Sequence, residues 1–171
     1  DLLDKTEFDT IYHEHLCYFS LTAIDRLFRR NGLKLVDVER IPIHGGSLRI
    51  TAAREDGMEP AASRVGSLLA EEAGWEVHLA ATYEQFAERV AAIKQELVGL
   101  LKRLKQDGKT IAAYGASAKG STLLNYCGIG CETLDFVVDR NPAKQGRLTP
   151  GTHLPILPTE ALLDRMPDFV L

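Results

Sequence analysis

The chain has 171 residues, room for one ordinary domain or two small ones. Hydrophobic residues make up 45%, enough to build a core, which argues against global disorder. A net charge of -4 without a long basic run leaves no electrostatic footprint for nucleic acid, and no apolar run approaches the ~20 residues needed to span a membrane.

The chain opens on DLLDKTEFDT, acidic and polar, without the pattern of a signal peptide. Next comes IYHEHLCYFS, which gathers two histidines, a glutamate and two tyrosines between Tyr12 and Ser20. Ser20 is placed to cap a helix carrying Leu21, Ile24, Leu27 and Phe28 at helical spacing, and Asn31-Gly32 stops it. LKLVDVERI alternates apolar and polar residues as a strand does, and HGGSLRITAAR turns on Gly45-Gly46 into a second strand, Ser47–Ala53. Together they predict an antiparallel hairpin.

Arg54–Ser63, polar and containing Gly and Pro, reads as a linker. A long helix is expected over Tyr83–Gln106, where Phe86, Val90, Ile93, Leu97, Leu100, Leu101 and Leu104 recur at steps of three and four. Then come a strand over Lys109–Tyr114, a glycine turn over Gly115–Gly120 and a helix. LDFVVDRNP is a further strand, and LPILPTEALLDRMPDFVL gives a short strand, a helix capped by Thr159 and a final buried strand. Strands alternating with helices predict a Rossmann-like parallel α/β sheet with crossover helices, preceded by the helix and hairpin. The expected division is residues 1–56, a linker and long helix over 57–108, and a truncated Rossmann-like domain over 109–171. A start without methionine and an end on a core strand suggest a piece of a longer protein.

Three cysteines, Cys17, Cys127 and Cys131, are too few and odd in number for a disulfide framework and fit a reducing cytoplasm. Cys127 and Cys131 lack the two further ligands a zinc knuckle needs.

The glycine turn aims backbone N–H groups and a helix N-terminus at an anion. It is not a Walker A loop, because Lys119 precedes Gly120, and it is not G-x-G-x-x-G, because position 117 is Ser. Ser117, Lys119 and Gly120 are candidates to hold a phosphate; a tight turn that needs glycine only for packing is the plainer alternative. Asp139 ends the next strand, where a dinucleotide fold has its ribose acceptor. Arg140, Lys144 and Arg147 in the following loop could meet phosphates, as could Arg49, near His44 and Ser47 at the hairpin turn; a solvated loop and an outward Arg are the alternatives. In YHEH the histidines are two apart, not four as in the H-E-x-x-H zinc pattern, so a metal at His13, Glu14 and His15 is disfavoured. An acid–base role and a polar loop before a helix both remain open there.

FDTIYHEHLCYFSL, HGGSLR, GASAKGSTLLNYCGI and DFVVDRNPAKQGRLTPGTHLPI, in that order, closely resemble the S-adenosylmethionine-dependent sugar C-methyltransferases. The resemblance covers nearly the whole chain. It implies a parent with an N-terminal zinc-binding domain, a Rossmann-like methyltransferase domain and a C-terminal Rossmann-like domain, with a nucleotide-linked keto sugar between the last two. This chain matches the end of the methyltransferase domain and most of the C-terminal one, so zinc and the main S-adenosylmethionine site lie outside it and the chain alone is expected to be inactive. The resemblance further implies His15 as general base, Glu14 orienting it and Tyr12 bonding a substrate oxygen, and it gives Ser117, Lys119 and Arg140 a diphosphate to bind; His44, Ser47 and Arg49 are placed on the substrate side by their position near the hairpin turn. Two other readings stand beside it. A non-catalytic nucleotide- or NAD-binding domain predicts dinucleotide affinity. A scaffold module predicts an open apolar stripe along the long helix.

Overall fold

The computed structural model describes residues 2–171. They form two units: residues up to Glu7 with His15–Arg89, and Phe8–Glu14 with Val90–Leu171.

In the first unit Ser20 is extended, and its Oγ accepts the Ala23 N–H at 3.1 Å, opening helix α1 (Leu21–Arg30) as its cap. Strands β1 (Leu33–Ile41) and β2 (Ser47–Arg54) form the expected antiparallel hairpin. The register shifts between Leu35 and Asp37. That bulge lets Leu35 and Val38, three apart, face the same core, which simple alternation would forbid. The Val36 carbonyl in the bulge accepts the Ala62 N–H at 2.7 Å and so fixes the chain just ahead of helix α2 (Ser63–Gly74). This helix, unforeseen in the sequence, buries Val65 and Leu68 against Leu21, Ile24, Leu35 and Val38, with Leu69 partly buried beside them.

One turn further along that stripe is Glu72, only 5% exposed. Its carboxylate accepts the N–H groups of Leu21 and Thr22, each at 2.7 Å, and the Thr22 hydroxyl at 2.6 Å. Three N–H groups that α1 cannot satisfy internally are thus taken by Glu72 and Ser20. A buried negative charge at the positive end of a helix is the favourable arrangement.

Helix α3 (Ala80–Gln106) begins in the first unit and belongs to the second from Val90 on. Its start lies three residues ahead of the expected one at Tyr83. There the Thr82 hydroxyl donates to the Glu76 carbonyl at 2.9 Å and the Tyr83 hydroxyl to that of Val77 at 2.7 Å, tying the helix to the turn after α2. No helix among the described residues is long and apolar enough to cross a membrane.

The second unit carries β3 (Ile111–Tyr114), α4 (Ala118–Cys127), β4 (Phe136–Val138), β5 (Ile156–Leu157), α5 (Ala161–Arg165) and β6 (Phe169–Val170). All its strand pairs are parallel, in the order β5-β4-β3-β6, the Rossmann-like sheet expected from the sequence. Alternate residues fill two cores. Ile111, Ala113 and Val137 pack with Leu101 of α3 and Leu124 and Cys127 of α4. Ala112, Phe136 and Val138 face the other way, toward Leu157, Ala161 and Leu162. Leu97, Val98 and Leu104 of α3 also lie on the first core, whereas Ile93 and Leu100 of the same stripe are exposed.

Two expectations are corrected here. Strand β6 is not buried: it is an edge, with Phe169 44% and Val170 50% exposed. Thr159 does not cap α5, whose cap position is Glu160 without a side-chain bond to the helix. The β6 edge is held instead by Asp168, which accepts the Thr110 N–H and hydroxyl, both at 2.8 Å, and Lys109 Nζ at 3.2 Å. Those bonds, the Thr110 N–H foremost, bring its carboxyl down to about 2.

Glu72→Ala removes three bonds to a buried carboxylate and leaves two helix N–H groups without their partner. We expect a loss of about 2–3 kcal/mol, read by urea unfolding, with faster amide exchange at Leu21 and Thr22.

Candidate functional site

The sheet's strand order fixes where a ligand would sit. The chain steps from β3 through β4 to β5 on one side and returns to β6 on the other, so β3 is the topological switch point. In open α/β sheets ligands collect beyond the carboxyl end of such a strand. Beyond β3 lies Gly115–Gly120.

Gly115 has φ 99°, a value a side chain would resist, and its N–H donates to the Val138 carbonyl at 2.7 Å. Ser117 is the N-cap of α4, its Oγ accepting the Gly120 N–H at 3.0 Å. A Cβ at position 120 would lie 3.1 Å from the Gly115 carbonyl oxygen and 3.3 Å from Ser117 Oγ, so Gly120 is what lets helix and turn close on each other. Lys119 stands half-buried in the first turn of α4, and Arg140 is exposed just past β4, the neighbouring strand. The structure thus gathers Ser117, Lys119 and Arg140 at one end of one sheet.

Asp139 occupies the position of a ribose acceptor, but its carboxylate is engaged from within. Oδ1 accepts the Asn141 N–H at 2.8 Å; Oδ2 accepts the Ala116 N–H at 2.8 Å and Lys144 Nζ at 3.2 Å. The Asn141 N–H first, then the Ala116 N–H and Lys144, hold this carboxyl below its usual range against the opposing effect of burial. Lys144 also donates to the Ala116 carbonyl at 2.7 Å, so it points into the fold and not outward to a phosphate. Sequence reasoning missed this role; the signal was a Lys five residues after a strand-end Asp.

The residues of the YHEH motif divide between the units: Tyr12, His13 and Glu14 belong to the second, His15 to the first. The segment is neither helix nor strand, so no alternation governs its side chains. Tyr12 is half-buried and its ring meets that of His13 edge-on at 6.3 Å. Glu14 and His15 are exposed, and the His15 ring lies 6.0 Å from that of Tyr18. Both flanks are anchored. Upstream, buried Phe8 meets the Tyr126 ring of α4 at a tilt, 5.1 Å between centroids, and Lys94 of α3 lies 4.9 Å over the same ring and donates to the Tyr126 carbonyl. Downstream, Ser20 and Glu72 fix the start of α1.

At the hairpin end, His44 is exposed with φ 55° and the Ser47 hydroxyl donates to the Ile43 carbonyl at 3.0 Å. Arg49 pairs with its cross-strand neighbour Glu39 at 3.3 Å. A cavity of about 540 Å³ lies between β1 and α2 but holds none of the candidate residues; the charges around it are mutually paired, Arg40 with Glu71 and Arg64 with Asp37 and Glu39. Among the described residues no cluster of His, Cys, Asp or Glu is arranged to hold a metal ion.

Residues 42–171 match the family described as the C-methyltransferase C-terminal domain, and the chain belongs to that family. Over all 171 residues it is 39% identical to C-methyltransferase NovU of Streptomyces niveus, and it spans 41% of that protein's length.

Gly120→Ala places a methyl against a backbone carbonyl that cannot move without opening the turn. The expected cost is about 1–2 kcal/mol, seen as a lower urea midpoint with an unchanged slope.

Proposed function

We propose that this chain is the C-terminal part of an S-adenosylmethionine-dependent C-methyltransferase whose substrate is a nucleotide-linked keto sugar. The observation that carries the reading is a glycine turn at the strand switch point, in a chain of C-methyltransferase family, with a lysine in the first turn of the following helix. Ser117, Lys119 and Arg140 serve the nucleotide's diphosphate. His44, Ser47 and Arg49 are assigned to the substrate by their position at one end of the hairpin.

The first unit offers an antiparallel hairpin and no parallel βα turn, so its residues do not fit the implied site for S-adenosylmethionine. That donor supplies the methyl group from a site outside this chain. What the chain's own residues do is handle a proton. His15 takes the proton from the sugar carbon next to the ketone, and the electron pair of that C–H bond becomes an enolate. Tyr12 donates a hydrogen bond to the oxygen where charge develops, since an α-proton beside an unassisted ketone is weakly acidic. Glu14 orients the imidazole. The exposure of His15 and Glu14 and the anchoring on both flanks support these roles.

In the full-length enzyme, His15→Gln should lower the methyl-transfer rate about 10²- to 10⁴-fold; an unchanged rate removes the base from the proposal. Lys119→Ala should raise KM for the nucleotide-sugar and leave S-adenosylmethionine affinity alone, and steady-state kinetics with each substrate varied distinguishes that from the reverse.

A further inference from the structure

Ala116 sits between Gly115, at φ 99°, and the capping residue Ser117. A peptide beside a glycine in that region is the one in the turn most able to rotate, and its rotation would redirect the first turn of α4. Each of the two peptides that flank Ala116 has one polar group held. The N–H goes to Asp139 Oδ2 at 2.8 Å and the carbonyl receives Lys144 Nζ at 2.7 Å, while Lys144 and Asp139 bond each other at 3.2 Å. The two residues are braced in turn. The Asn141 N–H holds Asp139 Oδ1, Gln145 Nε2 donates to the Asp139 carbonyl at 2.9 Å, and the Gly146 N–H reaches the Ile156 carbonyl at 2.8 Å.

We propose that Asp139 and Lys144 are positioning residues for the anion turn. By gripping both polar groups of Ala116 they fix the direction in which the start of α4 meets the diphosphate of a nucleoside diphosphate. This rests on the phosphate reading above and adds a constraint on substrate class. A ribose hydroxyl donating to Asp139 competes with Ala116, Asn141 and Lys144 for the carboxylate, so the site lacks the open ribose acceptor by which a dinucleotide fold holds NAD.

The electrostatics give a test that direct contact cannot imitate. Removing a carboxylate near a bound anion should by charge alone tighten anion binding; removing half of a positioning clamp should weaken it. Calorimetric titration of the 171-residue chain with uridine diphosphate, thymidine diphosphate and NAD reads this in wild type, Asp139→Asn, Lys144→Met and the double variant. The expected result is diphosphate binding by wild type above NAD binding, a loss of about tenfold in each single variant, and no further loss in the double variant. Equal or tighter diphosphate binding by Asp139→Asn overturns the clamp and leaves the phosphate reading standing. Absence of diphosphate binding in wild type removes the phosphate reading, and the clamp's functional role with it. Should Asp139→Asn fail to melt cooperatively, Lys144→Met decides through amide exchange. Faster exchange at Ala116 alongside weaker binding supports the clamp, and undiminished protection there with weaker binding marks Lys144 as a direct phosphate contact and overturns it.

Discussion

The second unit is organised by one constraint: β3 is flanked on both edges and covered on both faces. Strands β4 and β6 lie beside it, Ala113 looks toward α3 and α4, and Ala112 toward the side of α5. Two adjacent alanines, 0% and 7% exposed, are small enough to let the layers on both sides approach. A central strand covered in this way must leave the sheet abruptly at its carboxyl end, because no layer has room for a gradual curve. Gly115 makes the turn, Gly120 lets the following helix come back onto it, and the exposed end of the strand becomes the place where chemistry can be attached.

Carboxylates hold the joints of both units by accepting backbone N–H groups. Glu72 does so at the start of α1, Asp139 at the turn after β3, Asp168 at the start of β3, and Asp135 at the Ile111 N–H at 3.0 Å. Each replaces water at a main-chain donor that regular structure leaves unpaired, and an ionised acceptor makes the stronger version of that bond. The consequence for function is a separation of roles among acidic residues. Those at element ends are consumed by the backbone, whereas Glu14 lies exposed in an irregular segment.

That separation also explains what could be read from the sequence. The hairpin, the long helix and the parallel sheet follow from periodicity, since their buried positions are apolar and repeat at the period of the element. Helix α2 was hidden because its stripe of Val65, Leu68 and Leu69 continues onto a glutamate, and a buried carboxylate is indistinguishable in sequence from a solvated one. The glycine turn was legible from spacing, but the direction of Asp139 was not. A carboxylate at a strand end can face a ligand or the adjacent turn, and only Lys144 returning from the next loop decides it. For β6 the composition FVL suggested burial, yet sheet order made it an edge. Edge or centre is a property of topology, which local hydrophobicity does not encode.

Serine at position 117 bears on how tightly an anion is held. In a dinucleotide fingerprint glycine at this point admits the pyrophosphate to the main chain. Here the serine hydroxyl takes the Gly120 N–H, and the Ser117 carbonyl takes the Ser121 N–H at 2.9 Å as the first bond of the helix. A capped helix has fewer N–H groups to offer, so any attraction for a phosphate would shift from directed backbone bonds to the helix dipole and to side-chain cations. Such a site discriminates less by shape and loses strength as salt rises. On the proposed phosphate reading, that suits a substrate anchored at more than one place better than a cofactor that must stay bound through many turnovers.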